Sequence, residues 1–274
     1  MTVLQAIIMA IVEGITEFLP ISSTGHMVLT GAVLGIEKND FTKLFIETVQ
    51  FGAILSVLVL YWRKFLNFRK PDFYLKLLVA FIPAAIVGVL LKKRIEEVLE
   101  SPLFITVVMF LGGIILLFVD SWFKNPVIHE EEKITYKNSL VIGLFQLLAI
   151  VFPGFSRSAA TIIGGMQQKL NRTAAAEFSF FLAVPTLAGA FAKSLWDAYR
   201  HDLNPLNQHD ILLTHANINM IILGNIIAFL VAILAIKGFI TFLIKHGFRL
   251  FGWYRIILGI LLLTFLLTRH SLSL

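Results

Sequence analysis

The sequence predicts an all-α integral membrane protein arranged as an inverted repeat, each half one re-entrant helical hairpin plus three transmembrane helices. Three observations lead there. The chain of 274 residues is 58% hydrophobic and only 15% charged, with a mean hydropathy of +0.85, a balance that ordinary soluble domains do not have. Its apolar residues fall into blocks close to the roughly 20 residues a helix needs to cross a bilayer. Two further apolar stretches are broken near their middles by Pro, Gly and Ser. The expectation is a single transmembrane domain over 1–274 with no soluble unit beside it. The net charge of +6 lies in the segments between apolar blocks, which is loop bias and not a nucleic-acid surface. The chain has no cysteine, so disulfides, thiolate chemistry and Cys-ligated metal are excluded. The apolar start carries no basic region and no small-residue cleavage site, so a cleaved signal peptide is not expected.

The elements follow in order. Residues 3–35 are apolar but interrupted at Pro20, Ser22, Ser23, Thr24 and Gly25. Proline removes a helical donor and clashes with the preceding turn, while glycine permits the bend. Such a break is tolerable in a bilayer only where protein or water satisfies the freed backbone groups, so the stretch reads as a hairpin that dips in and returns. Full spans are expected at 43–63, 74–92 and 103–123. A second hairpin is expected at 138–170, broken at Pro153, Gly154, Ser156, Arg157 and Ser158, and then spans at 174–196, 218–240 and 251–269.

The two broken stretches resemble each other. Pro153 follows Pro20 by 133 positions, and Glu177, Phe181 and Ala183 follow Glu47, Phe51 and Ala53 by 130. Repeats of about 1–123 and 137–270 result. Three spans are an odd number, so the second half enters the membrane upside down, with a site expected where the repeats meet. Lys and Arg set the orientation. They favour the side of the 63–76 loop, thirteen against eight. That side is expected in the cytoplasm, with both termini, the mouth of the first hairpin and the 197–216 loop outside.

Chemistry concentrates at the breaks. Glu13 and Glu17 are four apart and share a helix face. Two like charges there repel, so either one takes a proton or a cation lies between them. Hard oxygen ligands suit Mg²⁺ or Ca²⁺, and Mg²⁺ commonly shares one or two carboxylates with substrate phosphates. A proton-sharing dyad, or one Glu capping the broken helix, is the plainer alternative. If a helix begins just past Pro20, its free N–H groups form an anion site beside Ser22, Ser23 and Thr24. A serine there binds phosphate or attacks it, unless it serves only as a cap. His26 lies three residues past Ser23, a base or acid within reach on the same face, or else a buried histidine satisfied by hydrogen bonds. An arginine inside an apolar stretch is costly unless it faces an anion, and the fork of Arg157 matches phosphate oxygens. Its alternative is an ion pair with Glu13, Glu17, Glu47 or Glu177. Gln50, one span in, either bonds to the site or joins two helices. His129 with Glu130, Glu131 and Glu132 reads as a solvated loop, and His201, His209 and His215 as exposed loop residues.

Two segments carry a resemblance. Glu13-Gly-Ile-Thr-Glu-Phe-Leu-Pro-Ile-Ser-Ser-Thr-Gly-His26 and Pro153-Gly-Phe-Ser-Arg-Ser158 closely resemble the two signatures of the bacterial undecaprenyl-pyrophosphate phosphatases, the bacitracin-resistance proteins. Gln50-Phe-Gly-Ala-Ile-Leu55 and Glu177-Phe-Ser-Phe-Phe-Leu-Ala-Val-Pro185 resemble the family as well. The likeness runs nearly the whole chain; Ala159 stands where the family commonly has Gly. The resemblance implies removal of the terminal phosphate of undecaprenyl pyrophosphate, which regenerates the lipid carrier for cell-wall synthesis. It implies a divalent cation, a bacterial plasma membrane location and a site facing the periplasm or outer surface. It also implies roles for Glu13 and Glu17 (acid/base or metal), Ser23 (candidate nucleophile), His26 (proton transfer) and Arg157 (pyrophosphate binding), and leaves open whether Ser23, His26 or water attacks. Ser22, Thr24, Ser156, Ser158, Thr161 and Gln50 are the substrate-binding candidates. The expected partners are the polyprenyl lipid and membrane lipids; a homodimer is left open.

Two rivals stand beside this. Inverted repeats with broken helices are also a carrier architecture, so a transporter or flippase of a lipid phosphate is the alternative; Ser23 beside His26 argues against it, since transport needs no such pair. A phosphohistidine mechanism of the phosphatidic-acid-phosphatase kind lacks a nucleophile, because no His follows Arg157 at catalytic distance.

Overall fold

The computed structural model describes residues 1–36, 39–99, 101–203 and 212–271. Among these the chain is helical, with no strand beyond a single bridge between Ile128 and Leu170. The first half runs α1 (Val3–Thr16), α2 (Ser23–Val33), α3 (Asp40–Leu60), α4 (Trp62–Phe65), α5 (Pro71–Leu90), α6 (Lys92–Leu99) and α7 (Pro102–Trp122). The second runs α8 (Tyr136–Val151), α9 (Arg157–Gln167), α10 (Arg172–Asp202), α11 (His215–His246) and α12 (Arg249–Ser271). Six helices, α3, α5, α7, α10, α11 and α12, are long and apolar enough to cross a membrane, and they fall on the six predicted spans.

Local chemistry repeats between the halves. α1 opens on a capping box in which Thr2 and Gln5 satisfy each other's backbone N–H; α8 opens on the same box from Thr135 and Asn138, and such reciprocal bonds fix where a helix begins. Asn39 caps α3 and Asn171 caps α10, each through its side-chain oxygen. Packing corresponds too. α1 lies against α11 and α8 against α5, while α3 meets α10 and α7 meets α12. Lipid tails are as apolar as leucine, so these contacts rest on close approach and not on hydrophobic burial. Gly14 presses on the Ala228 carbonyl of α11 and Gly143 on the Ala80 carbonyl of α5. A side chain at either would push the hairpin off its span.

Two expectations change. α10 and α11 have 31 and 32 residues, longer than the spans predicted at 174–196 and 218–240. The predicted spans are measured by the roughly 20 residues that cross a bilayer, but a helix can continue past the hydrocarbon edge, where charges meet water. Part of the predicted 197–216 loop is therefore helix, with Trp196 and Tyr199 exposed on it as interface aromatics are. His209 lies outside the described residues; His215 is exposed and His201 sits beside Asp202. The 129–132 segment is not wholly solvated. Glu131 is buried and bonded to Lys64, which also pairs with Glu132. Burial pushes the Glu131 carboxyl up, against the pull of the Lys64 ammonium. Nearby, Asp120 ties three helix ends together, accepting from Arg172 Nε at 2.8 Å and Phe248 N at 2.7 Å.

Candidate active site

Both breaks use one backbone device. α1 stops at Thr16 and α8 at Val151, a few residues before Pro20 and Pro153. The next helix is opened in each case by a serine with positive φ, Ser22 at 71° and Ser156 at 79°. That region is sparsely populated for residues with a side chain, and strain of this kind persists only where its surroundings hold it. Each serine side chain then accepts a backbone N–H three residues on, Gly25 N or Ala159 N, both at 3.2 Å. α2 and α9 thus begin at the two breaks, and the positive ends of their dipoles lie there.

A cavity of about 100 Å³ lies between them, room for several water molecules. Glu17, Ser22, Ser23 and Thr24 line it from the first break, and Gly154, Ser156 and Arg157 from the second. Gln50 of α3 closes one side, with Ala149 and Leu187 as apolar wall. Glu17 is its hub. One carboxylate oxygen accepts the Ser23 hydroxyl at 2.6 Å, and the other accepts Arg157 Nη2 at 2.8 Å. Arg157 also donates Nη1 to the Ser179 carbonyl at 3.1 Å. Its Nε is buried without a hydrogen-bond partner among the described residues.

Glu13 sits one turn back on α1, fully buried, and among the described residues neither carboxylate oxygen has a hydrogen-bond partner. A buried carboxylate left so is costly; it must be protonated or face a cation. Among the described residues no three His, Cys, Asp or Glu side chains gather as a metal cluster. Glu13, which does not line the cavity, and Glu17 offer two carboxylates between them. Two carboxylates are a donor set of the kind a hard divalent ion completes with phosphate and water oxygens.

Other predicted residues are placed differently. His26 does not bond Ser23. Its Nδ1 meets the Ser22 carbonyl and its Nε2 the Tyr254 hydroxyl, both at 2.7 Å, and it does not line the cavity. The reason is local: Ser23 turns to Glu17, while the imidazole folds back on the first turn of its own helix. Ser158 and Thr161 also leave the cavity wall. Ser158 donates to the Phe18 carbonyl at 2.7 Å, and Thr161 shares a bond with Ser179 Oγ at 2.6 Å. Both are completely buried, so they tie α9 to its neighbours and do not face a ligand.

Sequence reasoning placed α12 as a span and missed what it brings to the site. Tyr254 stacks on His26 with ring centroids 5.6 Å apart. Arg255 is completely buried. It donates to Pro20 O at 3.2 Å, Gly154 O at 2.9 Å, Phe155 O at 2.8 Å and Met109 O at 3.0 Å. An arginine inside a predicted span was the available signal; nothing in the sequence marked Tyr254.

The family model described as "Bacitracin resistance protein BacA" matches residues 6–261. A protein of Flavobacterium psychrophilum named "Undecaprenyl-diphosphatase" is 56% identical over 274 residues, covering 100% of both chains. Proteins of the same name in Porphyromonas gingivalis strain W83 and Aquifex aeolicus are 47% and 41% identical; the first covers 100% of both chains, the second 97% of this chain and 100% of its own.

Proposed function

The chain belongs to the bacitracin resistance protein BacA family, and from that premise we propose that it is a multi-pass membrane enzyme hydrolysing the terminal phosphate of undecaprenyl diphosphate. The relatives carry the name of a diphosphatase, which favours hydrolysis over the transport alternative. The observation that supports the chemistry is the single chain of contacts Ser23–Glu17–Arg157 in a cavity between two helix N-termini.

In our reading the diphosphate enters that cavity and its oxygens take the free N–H groups of α2 and α9, with Arg157 turning its fork from Glu17 to phosphate. Phosphoryl transfer is mostly positioning and charge neutralisation, and two dipoles with a guanidinium supply both. Glu17 already accepts the Ser23 hydroxyl at 2.6 Å, so the carboxylate stands where that proton must go. Ser23 Oγ attacks the terminal phosphorus, its proton passes to Glu17, and the bond to the bridging oxygen breaks, releasing the polyprenyl monophosphate. Water then cleaves the phosphoserine. A divalent cation, Mg²⁺ or Ca²⁺, when bound would add charge neutralisation at the phosphate oxygens; Glu13 and Glu17 would hold it. His26 serves proton transfer from beside the cavity. Ser22, Thr24, Ser156 and Gln50 contact the head group.

We further read the two halves as an inverted repeat, because their caps, breaks and helix pairings correspond. The site then opens to the periplasm or outer surface, with the Lys64 and Asp120 clusters at the cytoplasmic end. The decisive experiment is phosphate release from a polyprenyl diphosphate by purified protein in detergent, with and without chelator. No release in the presence of Mg²⁺ or Ca²⁺ rejects the reading.

A further inference from the structure

The guanidinium of Arg255 lies outside the cavity lining, yet it is bonded to both walls. Three of its four hydrogen bonds run to carbonyls on the chain breaks: Pro20 on the first, Gly154 and Phe155 on the second. The fourth runs to Met109 of α7. A broken helix leaves carbonyls without intrahelical partners, and in a bilayer each one must find a donor. Arginine has five N–H donors in a planar fork, and this one uses that reach across residues 100 to 235 positions away.

Its surroundings are shaped to it. Gly112 of α7 stands against the guanidinium, where a methyl group would collide with it. Gly154, at φ 101°, lies against the Ile105 carbonyl, so α7 also backs the second break directly. Among the described residues Arg255 pairs with no carboxylate; its hydrogen-bond partners are backbone oxygens alone. Arg157, by contrast, spends its charge on Glu17. Arg255 therefore leaves a buried positive charge next to a cavity already flanked by two helix N-termini.

We propose that Arg255 is a positioning residue for phosphoryl transfer: it ties the Pro20 and Gly154–Phe155 carbonyls together, sets the separation of the α2 and α9 N-termini, and lends an uncompensated charge to the diphosphate between them. This rests on the diphosphatase reading above. The two parts of the role are separable. Fixing Ser23 and the α2 N–H groups relative to Arg157 acts on the transition state, because a misplacement of about 1 Å can cost about 10²-fold in rate. The charge itself favours the bound anion in ground and transition states alike, and such uniform binding appears in KM.

The test measures initial rates of phosphate release from a polyprenyl diphosphate, with thermal midpoints, for the full chain and three variants. Arg255→Lys keeps the charge but cannot span four carbonyls; kcat should fall about tenfold or more while KM stays within about threefold. Arg255→Gln loses charge and fork, so kcat should fall about 10²-fold and KM should rise. Gly112→Ala leaves Arg255 in place and displaces its guanidinium; kcat should fall about tenfold at near-normal KM. Should Arg255→Gln not fold, the other two variants decide. A residue serving only the fold would lower the midpoint yet leave kcat and KM of the folded enzyme unchanged. Wild-type kinetics in both Arg255→Lys and Gly112→Ala would overturn the proposal while wild-type turnover leaves the diphosphatase reading standing. A wild-type chain that releases no phosphate overturns that reading and this proposal with it.

Discussion

At the first break the helix that follows opens with Ser23; at the second it opens with Arg157. Each stands one position after a serine of positive φ that caps the new helix. The backbones match, and the side chains one step further on do not. The first break carries the carboxylate and the hydroxyl, the second the guanidinium, and Glu17 touches both. A helix N-terminus supplies a general anion site wherever it is placed. What this pair teaches is that the same backbone device at two breaks offers two anion-binding helix ends, whereas the chemistry lies in the side chains by which the breaks differ. Neither break alone brings a carboxylate, a hydroxyl and a guanidinium to the cavity.

The comparison breaks most completely when the contact across it is removed. Arg157→Ala and Glu17→Ala should each cost on the order of 10³-fold in kcat/KM, the range for losing a preorganised charge at a transition state, while size-exclusion profiles remain those of folded protein. Near-normal phosphate release from either would take that residue out of the site. Chelation comes next. Stripping divalent ions should remove most activity, and Mg²⁺ or Ca²⁺ should restore it. Glu13→Gln should weaken that restoration, since it removes one of two carboxylates able to hold the ion. Full activity in chelator would instead assign Glu13 a proton. A third measurement tests the asymmetry itself. Ser23→Ala should cost about 10²-fold or more in kcat. Ser156→Ala, at the second break, should cost less than tenfold in rate and about 1 kcal/mol in stability, the usual value of a lost helix cap. Equal kinetic losses from the two would mean that both serines only cap or bind.

The sequence exposes the parts of this site that are costly anywhere in an apolar chain. Glu13, Glu17, Arg157 and the prolines stand out because a bilayer penalises charges and broken helices regardless of partners. The six spans are legible for the same reason, although their ends are not: charges such as Asp197 and Arg200 mark the edge of the hydrocarbon, not of the helix. Direction is what the sequence hides. Ser158 and Thr161 follow Arg157 on α9, yet they turn to the Phe18 carbonyl and Ser179. Arg255 is visible as an intramembrane cation, but its partners are carbonyls, which every residue has. No side-chain pattern could name them. The Ser23–His26 pair, inferred from spacing, gives way to Ser23–Glu17 because the carboxylate reaches the hydroxyl first.

The smallest expected effect concerns what only the first break possesses. With Ser23 matched to Arg157, His26 corresponds to Ala160, so the second break has no imidazole at the matching position. The Ser22 carbonyl can only accept, so Nδ1 of His26 carries a hydrogen. In the neutral ring Nε2 is then an acceptor, and the Tyr254 hydroxyl donates to it. In the cation the same hydroxyl accepts. Tyr254 thus serves both protonation states and keeps the ring in one tautomer. Tyr254→Phe removes a single hydrogen bond worth about 0.5–1.5 kcal/mol, so kcat should fall about three- to tenfold with the fold intact. The same substitution in a His26→Ala background should then cost nothing further. A full additional loss there would show that Tyr254 acts on the lipid and not through the histidine.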